Sequence, residues 1–180
     1  RLNFIAAQSQ HRDEDGNELD GPALGALLGH TGRNFTASTF FGRTDPDFRT
    51  DVGFVRRVDQ QRNLTTIGYR WWPEHWIINW GPTANYQLNF NHAGIREDEV
   101  MGGGVNFEFS RNIRASVKAD QTLERFGGIN FHKTSYNVSA STSTNRLFTL
   151  RGNFTAGDEI YFDPENPYLG RTVQTRLSTV

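Results

Sequence analysis

Side chains able to do chemistry are present, but their spacing along the chain does not assemble them. The five histidines, His11, His30, His75, His92 and His132, are scattered and mostly fall at the ends of alternating runs. No Gly-x-Ser-x-Gly elbow, His-Glu-x-x-His pair or phosphate-binding glycine loop occurs. Only a Ser–His pair drawn from neighbouring strands would make a hydrolase, so that reading ranks third. The run DEDGNELD at 13–20 has the oxygen-rich composition that a hard cation wants around a glycine turn. Aligning Gly16 with the invariant glycine of such loops puts His11 and Pro22 at the first and last ligand positions. Asp13, Asp15 and Asp20 are therefore the calcium candidates, and a solvated acidic hairpin loop is the preferred reading. Asp158, Glu159, Asp163 and Glu165 form a second acidic loop of the same kind. There is no cysteine, hence no disulfide and no thiolate metal site, and no cofactor is called for.

A second constellation is one of charge. Glu108, Arg114, Lys118, Asp120, Lys133 and Arg151 each sit at an alternate position within a run whose other positions are apolar. In a β-strand successive side chains point to opposite faces, so these six belong to one polar face. The stretch 76–90 states the pattern most fully. Trp76, Ile78, Trp80, Pro82, Ala84, Tyr86, Leu88 and Phe90 alternate with Ile77, Asn79, Gly81, Thr83, Asn85, Gln87 and Asn89. At ~3.3 Å per residue this strand spans roughly 50 Å, whereas a soluble strand has about 5–6 residues and a tilted membrane-spanning strand ~9–11. Pro82 has no N–H to give a neighbour, so a bulge is expected at Gly81–Pro82.

The same alternation predicts ten strands, over 2–10, 23–30, 34–42, 61–72, 76–90, 100–110, 113–120, 129–142, 148–156 and 172–180. The connections run long (11–21), short, long (43–58), short, long (91–99), short, medium (121–128), short and long (157–170). Sorting of long and short connections to opposite ends is the pattern of an up-and-down membrane barrel. A soluble sandwich would turn Val, Ile and Leu inward, whereas these apolar faces are rich in Trp, Tyr, Phe, Gly and Ala. Trp71, Trp76 and Trp80 cluster about one turn. They read as an interfacial aromatic belt rather than as a sugar-stacking platform.

The chain thus reads as all-β, a single domain over 1–180, forming an antiparallel up-and-down transmembrane β-barrel or part of a larger one. Net charge is −1, which argues against nucleic acid as a partner. Mean hydropathy is −0.63 and no apolar run is long enough for a membrane helix; a barrel strand dilutes the average because half of it faces water. Both ends fall within alternating runs, and the inward charges would crowd a ten-strand lumen. The expectation is that further strands, from the same longer chain or a partner, complete the wall.

The segment TDPDFRTDVGFVRRVD at 44–59, with GYRWWPEHWI at 68–77, carries a resemblance. Asp47, Phe48, Gly53, Phe54, Arg57 and Asp59, followed by Trp72 and Pro73, resemble a pattern in one bacterial family. That family is the C-terminal β-barrel domain, of unknown function, of proteins with an N-terminal carbohydrate-binding family 9-like module. The resemblance implies an outer-membrane location, lipid as a partner and work related to carbohydrate; it supplies no catalytic residues. From the residues alone, Phe48, Phe54, Arg56 and Arg57 are the loop residues that could bind a ligand. The preferred reading folds them against the wall or lumen, with arginines paired to carboxylates. The leading function is a pore or scaffold with a mixed-charge lumen; the alternative is a surface-binding module using its long loops.

Overall fold

The computed structural model describes residues 1–12, 16, 18–49, 57–145, 148–163 and 166–179, with backbone alone at 144, 145 and 148. The chain is all-β. Ten strands run as β1 (Leu2–Arg12), β2 (Glu18–Thr31), β3 (Phe35–Thr44), β4 (Gln60–Tyr69) and β5 (Ile77–Phe90), then β6 (Arg96–Phe109), β7 (Ile113–Phe126), β8 (Ile129–Asn145), β9 (Phe148–Tyr161) and β10 (Tyr168–Thr179). They form one antiparallel sheet in sequence order, each strand paired with the next. In such a meander alternate connections lie at the same end. The connections at 32–34, 70–76 and 110–112 share one end, here the turn end; the connection at 45–59 lies at the other, the loop end.

All ten strands match sequence expectation in order, and in parity except at the start of β5, but the loops do not match in length. β2 begins at Glu18 and β6 at Arg96; β7 runs to Phe126 and β9 to Tyr161, so most long connections shrink at the loop end. Between β7 and β8 only Gly127 and Gly128 remain, with φ of 57° and 81°, the left-handed pair that a two-residue hairpin turn of this twist requires. The alternation ends before the strand does because the backbone ladder continues where polar residues such as Gln121 and Arg125 take positions on the apolar side.

Direct cross-strand partners share a face, so the registers give each face in full. One face carries the row Ala37, Ile67, Ala84, Gly103, Ala119, Tyr136, Ala156 and Val173 across β3 to β10. Its neighbour toward the turn end carries Val105, Val117, Val138 and Phe154. The other face carries Thr83, Gly104, Lys118, Asn137 and Thr155. The apolar face is the exposed one: Phe4 is 72% accessible, Val173 68% and Leu177 74%. Among the described residues only Phe48, Leu123, Phe131 and Ile160 are buried apolar side chains, all toward the loop end, and none is fully enclosed. This inverts the arrangement by which soluble domains are stabilised.

Two local expectations are corrected. The irregularity in β5 lies at Ile78, between the pairs Ile77–Phe109 and Asn79–Glu108, and not at Gly81–Pro82. Below it the parity slips by one, so Ile77 takes the place on the apolar face that alternation assigned to Ile78. Pro82 instead sits in a lapse of the β4–β5 ladder. Gly68–Thr83 is the last regular pair and Trp71–Trp80 resumes the same register as an isolated bridge. Trp71 and Trp80 exchange both backbone hydrogen bonds, so the position two residues on, Pro82, would also aim its N–H at β4. The missing donor is the reason the ladder lapses there.

Candidate functional site

The polar face is built from the loop end to the turn end as three groups. At the loop end, Lys133 Nζ donates to Glu124 Oε2 at 2.6 Å and lies 3.5 Å from Glu159 Oε1. Midway, Lys118 pairs with Asp120 at 3.0 Å, and Asn85 Nδ2 reaches the same carboxylate at 3.5 Å. Ser116 and Ser139 share a hydrogen bond of 2.8 Å, and Asn137 donates to Thr155 Oγ1 at 2.8 Å. At the turn end, Glu108 accepts from Asn79 Nδ2 at 2.6 Å and from Arg114 Nη2 at 3.2 Å. Here a cavity of about 730 Å³ opens, lined by Arg70, Arg114, Arg151 and Arg176 with serines and asparagines between them.

At the loop end, the described residues on either side of 50–56, between β3 and β4, lie on this face. Phe48, 7% exposed, lies on Gly21, where even a Cβ would stand 2.3 Å from the Phe48 backbone N. The next residue's N–H, that of Arg49, donates to Ser9 Oγ at 2.9 Å. At the segment's far end Arg57 pairs with Glu97 and donates to Asp98 Oδ2 at 2.9 Å. Asp59 accepts from His92, whose Nε2 in turn accepts from Arg43 at 3.0 Å. Residues 48–49 are thus held to β1 and β2, and residues 57–59 to the β5–β6 hairpin. Phe54 and Arg56 lie outside the described residues.

On the apolar face at the turn end the aromatic rings form one continuous series. Tyr69 packs on Trp71 (4.9 Å between ring centres), Trp71 on Trp80 (4.6 Å) and Trp80 on Phe107 (6.1 Å). Phe107 continues to Phe109 (6.0 Å) and Phe109 to Trp76 (5.3 Å). Trp72 is separate: its Nε1 donates to Arg33 O at 3.1 Å, and the guanidinium groups of Arg33 and Arg70 stand 5.7 and 5.4 Å from its ring centre.

Of the residues singled out in the sequence, Glu108, Arg114 and Arg151 line one cavity. Lys118 and Asp120 pair with each other and Lys133 stands apart at the loop end. Asp13 and Asp15 lie outside the described residues; Asp20 accepts a hydrogen bond from Gln8 at 2.9 Å. Among the described residues no group of three histidines or carboxylates is placed to hold a metal. Arg70 and Arg176 are not among the residues that the sequence singles out. Both were legible in alternation, Arg176 with Gln174 and Ser178 and Arg70 between Tyr69 and Trp71. No family model, curated protein or solved structure matches this chain.

Proposed function

We propose that this chain forms part or all of the wall of a bacterial outer-membrane β-barrel, its apolar face toward lipid and its polar face lining a water-filled pore. The observation that carries the reading is the inversion of burial, with large apolar side chains exposed in a continuous band and charged side chains paired on the opposite face. From Trp80 to Phe90 the band covers ~33 Å of strand, which at a tilt of ~40° is ~25 Å of membrane normal, the height of a lipid-facing band.

Other features agree. The aromatic series occupies one border of the band, where rings favour the headgroup level. Phe48 and Arg57, flanking 50–56, lie over the polar face at the loop end, where they would border such a pore. The resemblance of Phe48, Arg57, Asp59 and the Trp72–Pro73 turn supports the location, and carbohydrate as a passing solute rests on that resemblance alone.

Parity is the decisive test. Ala84→Arg places a charge at mid-band and is expected to cost ~2–4 kcal/mol of folding stability in lipid, whereas Asn85→Arg costs far less. Equal tolerance of the two in vesicles overturns the reading. Single-channel conductance in planar bilayers then separates a pore from a closed scaffold.

A further inference from the structure

The turn end of the polar face carries positive charge that the described residues do not neutralise. Arg70, Arg114, Arg151 and Arg176 surround the cavity of about 730 Å³, and Glu108 is the only carboxylate lining it. Glu108 is already engaged by Asn79 and by Arg114. Arg70 lies against the Trp72 ring, 5.4 Å from its centre. Arg151 and Arg176 make no ion pair or hydrogen bond with any described residue, and both are exposed to the cavity.

Register places these groups in two adjacent rows. One reads Arg114, Ser141, Arg151, Ser178 across β7 to β10; the next reads Ser116, Ser139, Asn153, Arg176. Strands lie ~4.8 Å apart, so Arg151 and Arg176 are diagonal neighbours and Arg114 stands about 10 Å from Arg151 at the backbone. Like charges so placed repel one another unless something anionic lies between them. Toward the loop end the sign reverses, with Glu124 and Glu159 about Lys133, and Glu97 and Asp98 about Arg57. The positive charge is local to one mouth.

We propose that this double row is a binding site for solutes bearing two or more carboxylate, sulfate or phosphate groups. Arg151 and Arg176 grip one anionic group through their planar forks, Arg114 takes a second, and the serines and Asn153 between them bond hydroxyls or further oxygens. The volume suits a solute the size of a short acidic oligosaccharide or a compact polyanion. The proposal deepens the pore reading, because it needs this face to be wet.

The test is equilibrium binding by the full chain folded in detergent micelles, read by the Nε–Hε resonances of labelled arginine. Citrate, pyrophosphate and trigalacturonate are the anionic probes and maltotriose the neutral control. The expected result is saturable shifts at Arg151 and Arg176 with the anions and none with maltotriose. Arg151→Gln with Arg176→Gln should weaken binding about tenfold or more, with the amide spectrum otherwise unchanged, while Arg125→Gln at the loop end leaves affinity as it was. Tighter trigalacturonate identifies an acidic glycan, and tighter citrate or pyrophosphate a free polyanion. Absence of saturable shifts, or equal loss in the Arg125 variant, overturns the site. Conductance without binding overturns this proposal alone; binding without conductance overturns the pore and leaves the site standing.

Discussion

Asp59 accepts from both the backbone N–H and the Nδ1 of His92, each at 2.9 Å, and Arg57 stands nearby. Arg43 donates to the other ring nitrogen, so the tautomer that satisfies both contacts carries its proton on Nδ1. The His92 backbone hydrogen bond foremost, with its ring and Arg57 adding, holds the Asp59 carboxyl below its ordinary value of 3.8. A carboxyl depressed in the folded state contributes its stability fully above the unfolded value, and that contribution is lost as pH falls through the folded one. The clasp at the end of the 45–59 segment should therefore hold at neutral pH and release only in acid below 3.8. Amide exchange at Asp59 and His92 across that range is the measurement. Asp59→Asn should make exchange there fast at neutral pH and abolish the acid step.

At the scale of the element, length and face have different causes. Alternation lasts only while one side of a strand meets an apolar surrounding; pairing lasts as long as a neighbour offers N–H and C=O groups. β7, apolar on one side over Ile113, Ala115, Val117 and Ala119, continues as a strand to Phe126 through Gln121 and Glu124. The strands accordingly project beyond the band at the loop end. On the outer-membrane reading proposed above, the expected sidedness puts loop-end connections outside the cell and turn-end connections in the periplasm. Single cysteines report cleanly in a chain that has none. Ala93→Cys, between β5 and β6, should label on intact cells with a membrane-impermeant reagent, and His75→Cys, between β4 and β5, only after lysis. The reverse pattern would invert the topology.

For the whole molecule the two outer strands decide the assembly. Among the described residues no ladder joins β1 to β10. Ile5 of β1, on the polar face, is 69% exposed, and Leu177 of β10, on the apolar face, 74%. In hydrocarbon each unsatisfied backbone group costs several kcal/mol, so a bare edge strand does not persist there. On the proposed membrane reading, further strands are therefore the expected cover. A cysteine scan pairing positions along β1 with positions along β10 checks this. Disulfides need Cα atoms within about 7 Å, so no intramolecular crosslink is expected in the assembled barrel. Efficient crosslinking along the two strands would mean that ten strands close on themselves.

Sequence by itself determined the strand number, the order of the strands and which residues share a face, because a period of two is local and needs no knowledge of neighbours. It also placed Glu108, Arg114 and Arg151 on one face, and Trp71 and Trp80 on the other. Register was decided only by the fold. Whether Arg114, Ser141 and Arg151 stand in one row depends on how far each strand slides against the next, and the alternation is unchanged by a slide of two residues. The slip at Ile78, the lapse opposite Pro82 and the gathering of Arg70 and Arg176 beside Arg114 are likewise properties of paired strands. Phe48 on Gly21 and Arg57 on Asp98 are contacts between parts of the chain far apart in sequence, and only the folded sheet brings them together.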